Sequence, residues 1–141
     1  MRNEMEIIFD ALSDNEGFAR VAVAAFITHL NPTMEEMADI KTAVSEAVTN
    51  CIVHGYKDSI GPIYLTVRLT EEGEVIIRIR DKGCGIADIP KAMEPLYTTC
   101  ETGERAGLGF AVMLSFMDSV KVHSTLGKGT RVVMEKRLGR R

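Results

Sequence analysis

The hydrophobic period of this 141-residue chain changes at Gly55: apolar residues recur at steps of three and four before it, and alternate with polar residues from Ile63 onward. Upstream, Thr33-Met34-Glu35-Glu36 has the spacing of a capping box, and Met37, Ile40, Val44, Val48 and Cys51 repeat at helical intervals. Gly55 is a natural C-terminal stop, so a long helix is expected to end there. An earlier stripe, Phe18, Val21, Ala22, Ala25, Phe26 and Leu30, predicts a helix from about Asp14 to about Leu30. Ser13-Asp14-Asn15-Glu16 has capping-box spacing at its start, and Asn31-Pro32 ends it because proline restricts the residue before it. A strand over residues 6–12, rich in β-formers, is expected to lead in.

Downstream, Ile63, Leu65, Val67 and Leu69 alternate with Tyr64, Thr66 and Arg68. A turn at residues 71–74 and a second extended run, Val75 to Arg80, complete a hairpin. From Ile86 to Ala106 the pattern dissolves; so long a loop in a compact domain reads as a functional lid, with a short helix near Lys91. Phe110 to Met117 is apolar and helical, and Val120–Thr125 with Arg131–Lys136 forms a last hairpin. The order predicts an α/β arrangement in a single domain, 1–141, whose mixed, mostly antiparallel sheet is covered on one face by helices. The other face is left to solvent or a partner.

Composition narrows the function classes. Hydrophobic residues make up 45% and charged residues 26%, with no apolar run long enough for a membrane span. The start, Met1 to Glu6, carries acidic residues and no apolar segment of a secretory signal, so a cytoplasmic location is expected. Cys51, Cys84 and Cys100 form no C-x-x-C pair and read as reduced thiols. A net charge of -3 gives no basic footprint for nucleic acid, and the one cationic cluster in the sequence lies at 136–141.

Three short stretches carry chemistry. Glu46, Asn50 and His54 follow one another at steps of four along the long helix, which sets a carboxylate and an amide one turn apart. Asn50 there suits Mg²⁺, and Glu46 suits a proton taken from a neighbouring hydroxyl or water. His54 is expected to be structural. Asp81 ends an otherwise apolar strand, where its carboxylate suits the exocyclic amine of adenine, and Gly83 and Gly85 let the backbone turn and approach a ligand. Gly107-x-Gly109 opens a helix, whose free N–H groups favour phosphate. The dinucleotide fingerprint fails because Gly83-x-Gly85 lacks the third glycine. A P-loop fails because Gly127-Lys128 is followed by Gly129 and has no glycine five positions before it.

In this order, Glu-x-x-x-Asn, Asp-x-Gly-x-Gly, Gly-x-Gly-Phe and Gly-Thr, the chain resembles over about residues 35–135 the ATPases and kinases shared by gyrase, the Hsp90 chaperone, histidine kinases and MutL. Ser45 to Tyr56, the Leu96-Tyr-Thr-Thr99 segment and the run Phe9 to Glu16 are similar, more narrowly, to the anti-sigma-factor serine kinases of spore-forming bacteria. The resemblance implies a Bergerat-type α/β two-layer sandwich that binds ATP or ADP with Mg²⁺. It implies Glu46 as general base, Asn50 as the Mg²⁺ holder and Asp81 as the reader of adenine. Gly83, Gly85, Gly107 and Gly109 would shape the pocket, with Thr130 near the base. Residues 86–106 would form the ATP lid, with Thr98 and Thr99 in the nucleotide site and Arg105 toward the terminal phosphate. Cys84 occupies a position that such proteins leave variable.

The implied partners are a sigma factor and an anti-anti-sigma factor phosphorylated on serine, with a homodimer built through residues 1–32. Arg20, beside the apolar stripe of the first helix, is the candidate partner contact. Two rival functions stand beside this one. The ATP-binding part of a histidine kinase would need a helical domain bearing a phosphorylated histidine, for which the chain has no room. A nucleotide-gated binding module would need no Glu46.

Overall fold

The first strand, β1 (Asn3–Asp10), alternates between half-buried and exposed residues along its whole length, the signature of a strand with one face on a core. The computed structural model describes residues 2–57, 59–85 and 106–139, with side chains from Gly109 onward in the last segment. After β1 come α1 (Asp14–Ile27), α2 (Met34–Asn50), β2 (Pro62–Leu69), β3 (Glu74–Asp81), α3 (Ala106–Phe116), β4 (Ser119–Thr125) and β5 (Gly129–Arg137). The strands form one five-stranded sheet in the order β1-β2-β3-β5-β4, and all four pairings are antiparallel.

The two expected capping boxes have opposite fates. At α2, Glu36 N–H donates to Thr33 Oγ1 at 3.1 Å, and Thr33 N–H donates to Glu36 Oε1 at 2.9 Å. Thr33 holds the extended backbone that this geometry needs, φ -70° and ψ 165°. At α1 the expectation fails, because Ser13 already has helical dihedrals, φ -54° and ψ -34°, and its side chain caps nothing. The first turn closes instead through Glu16 N–H to the Ser13 carbonyl at 3.2 Å. The first strand also starts and ends earlier than the β-former count implied. The first helix tightens into a 3₁₀ turn, Thr28–Leu30, before Asn31 stops it at φ 52°.

All three helices lie on one face of the sheet. Ile63, Leu65, Val67 and Leu69 of β2, Val75, Ile77 and Ile79 of β3, and Val132 and Met134 of β5 are buried against it. Facing them are Val23 and Ile27 of α1, Ile40, Val44 and Val48 of α2, and Phe110 and Met113 of α3. Each such side chain fully withdrawn from water contributes about 1.5–3 kcal/mol, before conformational entropy is set against it. The alternation that buries Val75, Ile77 and Ile79 also sends Asp81, two residues further on, into the helical side of the sheet, where it is 5% exposed. The strand's own period therefore delivers a carboxylate to the interior.

Candidate nucleotide site

Asp81 lies in a cleft between the C-terminal end of β3, the end of α2 and the start of β5. Ala47, Ile79, Phe110 and Val132 give the cleft apolar walls, and Asn50, His54, Asp81 and Thr130 are its polar groups. Asp81 Oδ1 accepts the Gly83 N–H at 2.8 Å, which fixes the carboxylate and turns the chain back on itself. No cation pairs with Asp81 among the described residues. Burial raises its pKa above the ordinary carboxylate value, and hydrogen bonds from the Gly83 N–H, the Cys51 thiol and the Thr130 backbone offset only part of that rise. A buried carboxylate with capacity left over and apolar walls beside it suits a flat, amine-bearing ring.

The second half of the site is where α2 meets α3. A Cβ built on Gly109 would lie 3.0 Å from both Nδ2 and Oδ1 of Asn50 and 3.3 Å from Oε2 of Glu46. Glu46, Asn50 and Gly109 thus share one small volume at the first turn of α3. The free N–H groups of that turn, which includes Gly107, make it an anion-favouring end. Both glycines lie inside the helix, which begins at Ala106. The Glu46 pKa is raised, chiefly by burial and then by the negative charge of Glu16 on α1. Asn50 Nδ2 is buried and has no hydrogen-bond partner among the described residues. This unused amide N–H, one helical turn from a carboxylate, suits a phosphate oxygen, while Mg²⁺ would be held through the amide's Oδ1. Among the described residues no group of three or more His, Cys, Asp or Glu side chains could hold a metal ion on its own. Mg²⁺ often binds in that way, through one or two protein ligands completed by phosphate oxygens and water.

Between these halves α2 leaves its regular path. Cys51–Gly55 form a π turn closed by Tyr56 N–H to the Cys51 carbonyl at 2.9 Å, a widening that often marks functional sites. The turn aims the Cys51 thiol at Asp81 and brings the Gly55 carbonyl to the Cys84 N–H at 2.8 Å. A Cβ on Gly83 would overlap that same Gly55 carbonyl, and one on Gly85 would overlap the carbonyl of Thr125. Gly85 also has φ 76°. These glycines are required by backbone contact as well as by the turn. The Cys84 thiol donates to the His54 carbonyl at 3.0 Å, so Cys84 is a fastening of this loop. His54 is buried and lines the cleft.

Of the residues singled out in the sequence, Glu46, Asn50, Asp81, Gly83, Gly85, Gly109 and Thr130 converge on this cleft and its rim. Thr130 pairs with Asp81 across β5 and β3. Arg20 lies elsewhere, on α1, held by Glu16 at 3.4 Å. Thr98, Thr99, Arg105, Cys100, the helix near Lys91 and the lid expected over 86–106, apart from Ala106 at the start of α3, fall outside the described residues. Sequence reasoning missed Cys51, Gly55 and Gly129. A Cβ on Gly129 would overlap the Asp81 carbonyl, for which its place in Gly127-Lys128-Gly129-Thr130 was the available signal.

Comparison with known proteins agrees with this geometry. Residues 9–136 match the histidine kinase-like ATPase domain family. The chain is 52% identical over 139 residues to the anti-sigma F factor of Priestia megaterium, covering 98% of this chain and 95% of that protein. It is 56% identical over 137 residues to the anti-sigma F factor of a Thermoanaerobacter species, covering 97% and 95%. Among solved structures, the RsbU and RsbW domains of a Mycobacterium tuberculosis protein superpose with a TM-score of 0.71 at 22% identity, over 99% of this chain and 33% of that one. The catalytic domain of the histidine kinase ThkA gives 0.58 at 16% identity, over 96% of each chain. At those identities the two structures speak for the fold alone.

Proposed function

The chain belongs to the histidine kinase-like ATPase family and, within it, to the anti-sigma F factors; from that premise we propose an ATP-dependent anti-sigma factor that is also a protein-serine kinase. It holds off a sporulation sigma factor when ATP is bound, and it transfers the γ-phosphate to a serine of an anti-anti-sigma protein. The observation that carries this reading is the meeting of Glu46, Asn50 and Gly109 at one end of the cleft that contains Asp81.

In this reading Asp81 accepts from the exocyclic amine of adenine, and the first turn of α3 directs N–H groups at the phosphates. Asn50 holds Mg²⁺, which when bound offsets charge on the transferring phosphoryl group. Glu46 takes the proton from the serine hydroxyl as the serine Oγ–phosphorus bond forms; the bond to the β-phosphate oxygen breaks and ADP leaves. Its raised pKa brings its basicity nearer to that of a general base working at neutral pH. Thr98, Thr99 and Arg105 would complete the phosphate contacts from the lid.

Arg20 and its surroundings are the proposed partner contact. Phe18 and Val21 on α1 are 55% and 61% exposed, and β1 is an edge strand with Ile8 exposed. An arginine and exposed apolar side chains on one helix suit a docking surface, and the open edge suits a homodimer in the cytoplasm. The test mixes the protein with labelled ATP, a candidate sigma factor and a candidate anti-anti-sigma protein. Complex formation and acid-stable phosphoserine are followed together; absence of both overturns the proposal. Arg20→Glu is expected to weaken both complexes, and two intact complexes would remove Arg20 from the interface.

A further inference from the structure

The sheet face turned away from the helices is basic at its centre, although the chain as a whole has a net charge of -3. Strand register stacks the charges in two adjacent levels. Arg78 of β3, Val133 of β5 and Lys121 of β4 form one; Arg80, Arg131 and His123 form the next. All five titratable side chains are exposed, as is Lys82 beyond the end of β3. Arg80 and Arg131 are direct cross-strand partners, an arrangement in which like charges oppose the pairing.

Three acidic groups on this face are already engaged. Glu4 pairs with Arg68 at 3.0 Å, Glu6 accepts from Thr66 at 3.3 Å, and Glu135 accepts from Ser119 at 3.4 Å. Arg78, Arg80, Lys82, Lys121 and Arg131 have no ion pair among the described residues. Among the described residues Tyr64 organises these cations: the Arg80 guanidinium carbon lies 4.4 Å and Lys82 Nζ 5.2 Å from its ring centroid. Stacking of this kind holds a guanidinium in place and leaves its donors free. Tyr64, Thr66, Arg78, Arg80 and Arg131 line a cleft across the face, with Glu6 at its β1 side.

We infer that this face docks an extended acidic segment of a protein partner, with carboxylates two residues apart. Successive levels of the sheet are two residues apart, about 6.6 Å, which is also the spacing of same-side residues in an extended peptide. One carboxylate then meets Arg78 and Lys121, and the next meets Arg80 and Arg131, whose repulsion it relieves. The row of Glu4, Glu6 and Asp10 on β1 borders the basic levels and confines a negative segment to the β3-β5-β4 side of the face. The inference stands apart from phosphotransfer: none of these cations lines the cleft walled by Ala47, Asn50 and Phe110, although Arg80, His123 and Arg131 share a depression with Asp81 and Thr130 at the end of the sheet.

The test uses the full chain and a fluorescein-labelled peptide of alternating glutamate and serine, followed by anisotropy. Binding that weakens with added salt is expected, and Arg80→Gln/Arg131→Gln should reduce affinity by about tenfold or more. Arg80→Glu/Arg131→Glu should abolish it. ATP binding should stay as in the parent protein, and the melting temperature of the glutamine variant should not fall, because a cross-strand repulsion is removed. Unchanged peptide binding by both variants would overturn the inference. So would tighter binding of a single-stranded oligonucleotide than of the peptide through the same arginines, or a change in oligomeric state of the variants, which would make the face an interface between copies.

Discussion

Gly109 and Asn50 approach so closely that a Cβ on the glycine would lie 3.0 Å from both polar atoms of the asparagine amide. The contact joins the first turn of α3 to the last turn of α2, which are the two ends required around a phosphate group.

Gly109→Ala should therefore crowd the amide, and with it Glu46, whose Oε2 would be 3.3 Å away. A glycine in a helix is less favourable than alanine by about 0.5–1 kcal/mol, so the fold should be kept or slightly strengthened. Nucleotide binding in the presence of Mg²⁺ should fall by about tenfold, read by calorimetry beside a melting curve.

Asp81 couples stability to pH in the opposite sense to a salt-bridged carboxylate. Its folded pKa is raised by burial, so the folded state keeps a proton that the unfolded state has lost. The stability this contributes is fully present below the unfolded pKa and is lost as pH rises through the folded value. Asp81→Asn should flatten that slope in denaturant titrations taken at successive pH values. It should also weaken ATP binding by about tenfold to a hundredfold, because an amide N–H₂ then faces the amine of adenine.

Thr33→Ala removes the side-chain half of a formed capping box, leaving the backbone N–H of residue 33 to Glu36, and should cost about 1 kcal/mol, or about 3 °C in melting temperature. Ser13→Ala removes a side chain that caps nothing and should leave the melting temperature where it is. Nucleotide binding should be unchanged in both, since neither residue lines the cleft.

The contrast between those two serine/threonine positions explains what was legible in the sequence. Both have the same spacing to a glutamate, and only the extended backbone at Thr33, after Pro32, lets the side chain reach the helix. Local pattern was sufficient where local geometry decides: the alternation of β3 carried Asp81 inward, and steps of four placed Glu46 and Asn50 together. It was insufficient where distant segments meet. Cys51 continues the apolar stripe of α2 in sequence, yet the π turn aims its thiol at Asp81. The need for glycine at 83 and 129 comes from carbonyls of other segments, Gly55 and Asp81, and leaves no mark on the spacing of the motifs themselves. Arg80 opposite Arg131 appears only once the register of β3 and β5 is set.

Glu46 is the residue on which the proposed chemistry turns. The direct measurement is Glu46→Ala beside the parent protein, with ATP affinity and phosphoserine on the anti-anti-sigma protein read from the same preparation. The account predicts ATP affinity within about twofold of the parent, because Asp81 and Asn50 remain, and a loss of transfer of about a hundredfold or more. Transfer by the variant at the parent rate, with ATP bound normally, would contradict it.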